Sequence, residues 1–200
     1  MYIPPAYQNK NVEEVKNFIT KNSFGILVNQ TNGKPWATHI PLELARKDGK
    51  DILVGHIAKA NPQWHNFKET PEVLCIFNGP HGYVSSSWYK DEEVPTWNYI
   101  AVHVYGKVSI VNNATAMEGL HTLVNKYEKA SECPIHLDNL SKGTLAQVNG
   151  IVAFEIEITD IQATYKLSQT RQEDKPKIIE ELEKRDVGSK EIAEQMKKQK

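Results

Sequence analysis

The short connections between consecutive apolar segments are the feature that most constrains how this 200-residue chain can fold. Extended apolar segments cover residues 24–29, 36–44 and 51–58, and turn sequences of the hairpin type, Asn32-Gly33 and Asp48-Gly49, lie between them. Connections this short cannot carry a chain from one parallel strand to the next. The region therefore predicts an antiparallel meander of three strands.

The rest of the chain supplies further strands and only a few helices. Periodicity predicts strands at residues 72–77, 98–111 and 151–158, and helices at residues 12–22, 114–130, 176–186 and 189–199. Residues 78–96 are rich in Gly, Pro and Ser and are predicted to be mainly loop. Six antiparallel strands with few helices between them favour a closed or nearly closed barrel. We therefore expect a mainly β fold with peripheral helices, of the α+β class.

Composition divides the chain near residue 170. All four tryptophans lie between residues 36 and 103, whereas the final thirty residues contain no aromatic side chain and are rich in charge. We therefore predict one domain over residues 1–170, which includes the N-terminal helix, and a charged helical C-terminal appendage over residues 171–200.

Charge and composition exclude several classes of protein. The net charge of −1 lacks the basic excess of a nucleic-acid binder, and the last thirty residues hold nine Lys and Arg against eight Asp and Glu. No apolar segment is long enough to span a bilayer, and the N-terminus has no signal-peptide core. Two cysteines, Cys75 and Cys133, are too few for a disulfide framework, which favours a reduced, cytoplasmic compartment.

The common catalytic and metal-binding motifs do not occur in the sequence. It contains neither HExxH nor CxxC, and its clustered histidines have irregular spacing, so we expect no metal site. Neither the dinucleotide-binding GxGxxG motif nor the P-loop motif occurs, and no GxSxG elbow supports a serine hydrolase. No catalytic residue is assigned from the sequence.

Residues 55–64, GHIAKANPQW, have the composition of an anion site. Asn61 before Pro62 predicts a helix N-terminus, whose backbone N–H groups favour an anion, and Lys59 adds a positive charge beside it. A phosphate group needs this combination. A polar turn with a solvated lysine and a capping asparagine is the alternative that this segment alone leaves open.

Residues 83–89, YVSSSWY, combine hydroxyl groups with aromatic rings. This combination suits hydrogen bonding to a phosphate or a polyol and stacking on a planar ring. Trp97, Tyr99 and His103 alternate along the strand that follows and share one face. The alternative is that the serines lie in an ordinary loop and that the aromatic side chains and His103 belong to the core.

Five segments of the chain resemble one known family. MYIPPAY, GHIAKANPQW, FNGPHGYVSSSWY, VPTWNYIAVHVYG and KLSQTR are similar to motifs of the PaiB family of flavin-binding negative transcriptional regulators. The resemblance extends from Met1 to about Met196. It implies an FMN-binding split β-barrel, FMN as the cofactor, and repression of protease production and sporulation as the function. Ser86 and Thr170 depart from the family pattern, which usually has proline and asparagine at these positions.

The resemblance also implies which residues contact the cofactor. Lys59 and Asn61 would contact the phosphate, and Ser85 and Ser87 would supply further hydrogen bonds. Split-barrel proteins of this class are homodimers with the flavin between the subunits. The resemblance therefore implies that KLSQ, Trp88 or Trp97 comes from the partner chain. The complete set implied around FMN is Thr38, His39, His56, Lys59, Asn61, Ser85, Ser87, Trp88, Trp97, Lys166, Ser168, Gln169 and Arg171.

Three functions are left open by the sequence. The leading interpretation is a dimeric FMN-binding regulator that represses transcription. The second is a flavin-dependent oxidoreductase or a haem-handling enzyme on the same fold, in which the cofactor carries the chemistry. The third is a flavin or haem carrier that affects transcription indirectly. DNA is a partner consistent with the family's role, but the charge balance gives direct binding little support.

Overall fold

Six β-strands form a closed barrel in which the order of neighbouring strands is β1-β2-β3-β6-β5-β4. The strands are β1 (Phe24–Thr31), β2 (Lys34–Lys47), β3 (Lys50–Ala58), β4 (Glu72–Val84), β5 (Thr96–Ile110) and β6 (Ile151–Lys166). The sheet is antiparallel and the fold is mixed α+β, which confirms the predicted fold class. The computed structural model describes residues 1–31 and 33–199, so Asn32 of the predicted Asn32-Gly33 turn lies outside the described residues.

In the part of the chain that the structure describes, five α-helices accompany the strands. They are α1 (Val12–Lys21), α2 (Asn113–Glu128), α3 (Lys142–Leu145), α4 (Lys175–Glu183) and α5 (Val187–Lys198). The side-chain oxygen of Asn11 accepts a hydrogen bond from the Glu14 N–H at 3.2 Å, as expected for the residue that caps α1. Over the described residues, no helix is both long enough and apolar enough to cross a membrane.

The β2–β3 connection has the backbone conformation that its sequence predicts. Lys47 pairs with Lys50 across the hairpin, so Asp48 and Gly49 form a two-residue loop. Their φ angles of 49° and 79° both lie in the left-handed region, where glycine has no steric penalty and aspartate is tolerated. The predicted Asp-Gly turn is therefore confirmed, and it fixes the register between β2 and β3.

Strand β4 is longer than the sequence predicts. The loop prediction is wrong for residues 78–82, whereas the brief extended piece predicted at residues 83–85 overlaps the end of the strand. Gly79 lies inside this strand, and a Cβ atom there would lie 2.6 Å from Cε2 of Phe18 and 3.1 Å from the carbonyl oxygen of Ile100. Glycine at this position therefore permits close packing within a strand, whereas its composition in the sequence is typical of a turn.

Two compact units make up the chain, and each has its own apolar core. The central unit comprises Ile19–Ile76 and Val104–Asp160, and the terminal unit comprises Met1–Phe18, Phe77–His103 and Ile161–Lys200. In the central unit, the rings of Phe67 and Phe154 meet edge-on with 5.5 Å between their centroids. The other large side chains that are fully buried there are Ile19, Leu27, Leu42, Leu53 and Ile156.

The terminal unit buries one side of each C-terminal helix. Ile178 and Leu182 of α4 are fully buried, as are Ile192 and Met196 of α5. Residues 171–200 belong to the same unit as the first eighteen residues. The predicted domain boundary at residue 170 stays a prediction.

Candidate functional site

The predicted phosphate site lies in the central unit, in the turn that follows β3. Asn61 precedes a five-residue 3-10 helix, Pro62–Asn66, and its Oδ1 accepts a hydrogen bond from the Gln63 N–H at 3.0 Å. Proline occupies the first helical position, so the predicted arrangement of cap and proline is confirmed. A helix this short has little dipole of its own, and any anion bound here depends mainly on side chains and on single N–H groups.

Gln63 connects this turn to two strands of the barrel. Its side chain is 0% exposed, and its Nε2 donates to the Leu27 carbonyl oxygen of β1 at 3.1 Å. Its Oε1 accepts a hydrogen bond from the Thr38 hydroxyl of β2 at 2.6 Å, and the same hydroxyl oxygen accepts from Asn61 Nδ2 at 2.9 Å. Buried polar groups with this many partners hold the backbone around them in one position. The sequence analysis does not assign Gln63 to the site, because its partners lie on strands β1 and β2, which are distant in the chain.

Lys59 extends from the same turn as a solvent-exposed cation. Its carbonyl oxygen accepts a hydrogen bond from Trp64 Nε1 at 2.9 Å, and its backbone N–H donates to the Gly150 carbonyl oxygen at 2.8 Å. The side chain is exposed, and within the described part of the chain its ammonium has no ion-pair or hydrogen-bond partner. A free cation on a fixed backbone is suited to binding an anion, because little ordering is needed when the ligand arrives.

The two predicted strand histidines have different environments. His39 is exposed on β2, and its ring lies 6.5 Å from the ring of Phe24, which is itself 66% exposed. His56 of β3 is half-buried, and this burial lowers the pKa of its imidazole, which favours the neutral form near pH 7. His56 also lines a cavity of about 870 Å³ formed by residues of β2, β3, β6 and α2.

One wall of this cavity carries a half-buried ion pair. Lys126 of α2 lies 2.6 Å from the Glu43 carboxylate of β2, and the Tyr127 hydroxyl donates to the same carboxylate at 2.9 Å. The hydroxyls of Tyr127 and Ser23 are 2.6 Å apart. These contacts attach α2 to the sheet. No local pattern predicts these contacts, since Glu43 and Lys126 are far apart in the chain.

The terminal unit contains the predicted hydroxyl and aromatic residues. Ser85 Oγ accepts a hydrogen bond from the Ser87 N–H at 3.3 Å, and the two serine hydroxyls are 2.9 Å apart. Trp88 is half-buried beneath the guanidinium of Arg185, at 4.6 Å from its ring centroid. Trp97 is 52% exposed, and its ring lies 5.9 Å from that of Tyr83. Exposed aromatic surface of this kind is available to a ligand or to another chain.

The four predicted residues at the end of β6 and just beyond it all have partners inside the terminal unit. Lys166 donates to the Thr96 hydroxyl, and Ser168 Oγ accepts from the buried amide of Asn98 at 2.9 Å. Gln169 uses both ends of its amide on the backbone: Oε1 accepts from the Leu167 N–H at 2.8 Å, and Nε2 donates to a nearby carbonyl oxygen. These side chains therefore shape the local backbone.

Arg171, the fourth of these residues, lies between an aromatic ring and two carboxylates. Its guanidinium is 4.1 Å from the centroid of Tyr89, and it lies 3.1 Å from the carboxylate of Glu93 and 3.9 Å from that of Asp174. Burial raises the pKa of Tyr89, so its hydroxyl stays protonated at neutral pH. The arginine attaches residues 89–93 to the start of the C-terminal helices.

The structure thus gathers the predicted residues in two groups, one in each unit. Thr38 and Asn61 are in direct contact in the central unit, with Lys59 two residues away, and Ser85 and Ser87 are in contact in the terminal unit. The assignment of these residues to FMN stays a prediction. Among the described residues, no group of three or more His, Cys, Asp and Glu side chains could hold a metal ion.

Comparison with known proteins identifies a family and a relative. A family model described as "Putative FMN-binding domain" matches residues 1–160 of the chain. The chain is also 47% identical over 199 residues to "Protease synthase and sporulation protein PAI 2" of Bacillus subtilis (strain 168). That match covers 98% of this chain and 96% of the relative.

Solved structures share the fold at low sequence identity. The FAD and haem binding protein from Mycobacterium smegmatis superimposes with a TM-score of 0.61 and 14% identity, over 80% of this chain and 73% of that one. The flavocytochrome Anf3 from Azotobacter vinelandii gives a TM-score of 0.58 and 15% identity, over 80% of this chain and 69% of that one. The predicted split-barrel fold is confirmed.

Proposed function

Because this chain belongs to the family of FMN-binding domains whose model matches residues 1–160, we propose that it binds FMN and acts as a negative regulator of transcription of the PaiB type. The genes it represses would be those for protease production and sporulation, in keeping with the name of its Bacillus subtilis relative. The match covers nearly all of both chains, so the part of the relative that lies outside it is too small to form a domain. This coverage supports assigning the relative's function to this chain.

The observation that carries the proposal is the exposed ammonium of Lys59, which has no partner among the described residues and lies on a backbone held by Gln63 and Trp64. FMN differs from riboflavin in its phosphate, which carries close to two negative charges at neutral pH, and a charge-assisted hydrogen bond from an ammonium group is a strong one. Asn61 fits beside it, although its amide is already bonded to Thr38 and Gln63. The residues present therefore fit a phosphate.

The remaining predicted residues complete the proposed site. In this proposal, Thr38, His39 and His56 contact the ring system from strands β2 and β3 of one subunit. The second subunit supplies Ser85, Ser87, Trp88 and Trp97, together with Lys166, Ser168, Gln169 and Arg171. The 52% exposure of Trp97 supports a role for the terminal unit at an interface, because burial of an exposed indole ring by a partner lowers the free energy of the complex.

The protein's own residues would bind and orient the cofactor, and FMN when bound would supply a redox-active ring. His56 is suited to a neutral hydrogen-bonding role, because burial lowers the pKa of its imidazole. The net charge of −1 supports regulation that involves a partner protein or a concentrated dimer surface. We expect no tight, sequence-specific DNA complex of the isolated protein at physiological salt, which a mobility-shift titration at several salt concentrations would measure.

The phosphate assignment is tested with Lys59→Ala. We expect this change to weaken FMN binding by about 1.5–3 kcal/mol, the range for a lost charge-assisted hydrogen bond, and to weaken riboflavin binding much less. Quenching of flavin fluorescence measures both affinities. Lys68→Ala, another exposed lysine close in sequence, is the matched control and should leave both unchanged. Equal losses for FMN and riboflavin would contradict the assignment of Lys59 to the phosphate.

The shared site is tested by the oligomeric state. A ligand that contacts two chains binds the dimer and not the monomer, so FMN should shift the monomer–dimer equilibrium towards the dimer in proportion to its concentration. Sedimentation velocity with and without FMN measures this shift. A monomer that binds FMN as tightly as the dimer would rule out a site between subunits.

A further inference from the structure

The C-terminal helices pack directly against β4 through two glycines. A Cβ atom at Gly82 of β4 would lie 3.2 Å from Cδ2 of Leu182 and 3.2 Å from Oγ of Ser189. A Cβ atom at Gly188, near the start of α5, would lie 3.0 Å from the carbonyl oxygen of His81. Contacts this short are rarely seen for real Cβ atoms, so glycine at both positions allows helices and strand to approach closely.

Arg185, between α4 and α5, lies against the aromatic residues that follow this contact. Its guanidinium carbon is 4.6 Å from the centroid of the Trp88 ring and 5.9 Å from that of Tyr83. Its neighbour Lys184 instead pairs with Glu180 and Glu181, at 2.7 Å and 2.9 Å. Within the described residues, Arg185 has no carboxylate at ion-pair distance, so the two rings are the partners of its charge.

The other end of the same segment is attached to the residues that lead into α4. The Lys90 N–H donates to Asp174 Oδ1 at 3.0 Å, and the Lys90 ammonium lies 2.8 Å from the carboxylate of Glu173. The stacking of Arg171 on Tyr89, described above, adds a second contact between an arginine and an aromatic ring. Residues 83–90 are therefore held at both ends by the C-terminal segment.

We propose that Arg185 is a positioning residue for Trp88 and Tyr83, and that the C-terminal helix pair thereby determines how residues 83–89 meet the flavin. This inference rests on the proposed function, in which Ser85, Ser87 and Trp88 contact FMN. The guanidinium suits this role, because it is planar, always charged and weakly hydrated, and can lie over a ring without losing much solvation. The C-terminal helices would then be part of the cofactor site instead of an accessory to the barrel.

The coupling has a direct consequence for regulation. If docking of α4 and α5 favours FMN binding, then FMN must favour docking of α4 and α5 by the same factor. A partner with an acidic group that bound Arg185 would release Trp88 and lower FMN affinity. FMN binding and docking of the helix pair would in this way be coupled equilibria.

The first measurement concerns ring position in the cofactor-free protein. The ¹⁵N-labelled wild type should show four indole N–H resonances, one from each tryptophan. The resonance that is missing from the spectrum of Trp88→Phe is that of Trp88. Arg185→Ala should move that resonance, and Lys184→Ala, the matched control on the adjacent residue, should not. An unmoved Trp88 resonance in Arg185→Ala would overturn the positioning role, whether or not the protein binds FMN.

The second measurement concerns the cofactor. We expect Arg185→Ala to weaken FMN binding about two- to fivefold, the range for loss of one cation–π contact at an exposed residue. Arg185→Lys should restore part of the affinity, because an ammonium group also interacts with the face of an indole ring. Lys184→Ala should bind FMN like wild type. Wild-type affinity in a folded Arg185→Ala variant would overturn the inference and leave the proposed function standing. Failure of wild type to bind FMN would instead refute the proposed function.

Discussion

Replacement of Gln63 by leucine tests whether the phosphate turn is held by the buried amide. Leucine has a similar volume and suits a fully buried position, so the change removes hydrogen bonds without opening a large cavity. Two bonds are lost, from Nε2 to the Leu27 carbonyl oxygen and from the Thr38 hydroxyl to Oε1. The bond between the Asn29 side chain and the Gln63 carbonyl oxygen, 3.3 Å long, involves the backbone and remains.

The magnitude follows from these partners. Each lost side-chain hydrogen bond contributes about 1 kcal/mol to stability, and a buried carbonyl oxygen left without this partner adds about 1–2 kcal/mol. The Thr38 hydroxyl is less affected, since it still accepts a hydrogen bond from Asn61 at 2.9 Å. We therefore expect Gln63→Leu to lower the free energy of unfolding by about 2–4 kcal/mol.

Urea denaturation followed by tryptophan fluorescence measures this loss as a shift in the midpoint at unchanged slope. Gln172→Leu is the matched control, because Gln172 is an exposed glutamine, and its free energy of unfolding should stay within about 0.5 kcal/mol of wild type. Thr38→Val, alone and combined with Gln63→Leu, gives the coupling energy between the two side chains. A loss below about 1 kcal/mol, or a coupling near zero, would refute the claim that Gln63 fixes the turn.

Three further changes have defined outcomes. Gly106→Ala would place a Cβ atom 2.5 Å from the Glu157 carbonyl oxygen, so we expect a loss of about 3 kcal/mol in urea denaturation, whereas Gly150→Ala, with open space at its Cβ, should be neutral. Burial keeps the pKa of His56 below its ordinary value of 6.5, so wild type should lose stability relative to His56→Gln as the pH falls below 6.5. Hydrogen bonds from Ser189 hold the pKa of Asp186 below its ordinary value of 3.8. The stability that the Asp186 carboxylate provides is therefore present above pH 3.8 and is lost as the pH falls below it. The difference in stability between wild type and Asp186→Asn should shrink over the same acid range.

Local patterns in the sequence were sufficient for the elements of the barrel but not for their lengths. The Asp48-Gly49 turn is encoded by the backbone preferences of two adjacent residues, and the structure has it as predicted. Gly79 has the same residue type but lies inside β4, because the Phe18 ring of another element packs against its backbone. A glycine that serves long-range packing cannot be distinguished from a turn glycine by its neighbours in the chain.

The candidate site was predictable only where one segment contains the chemistry. Lys59 and Asn61 share a short motif, and their arrangement at a proline-started turn was predicted. Gln63 acquires its importance from carbonyl and hydroxyl groups on β1 and β2, and Arg185 from rings about a hundred residues earlier in the chain. Such partners are brought together by the fold, so residue type and spacing carry no signal for them.

The partners of each polar side chain separate residues that bind a ligand from residues that build the site. Gln169 spends both ends of its amide on backbone groups, so Gln169→Ala should lower the stability of the local backbone before it affects any ligand. Lys59 has an exposed ammonium without a partner in the described residues. Its removal should therefore leave the free energy of unfolding nearly unchanged and lower only the affinity for an anion. Both residues belong to motifs of the same resemblance, and sequence similarity alone would give them equal weight. Their different hydrogen bonding predicts different effects of substitution. Replacement of Lys59 should lower ligand affinity at constant stability, whereas replacement of Gln169 should lower stability first.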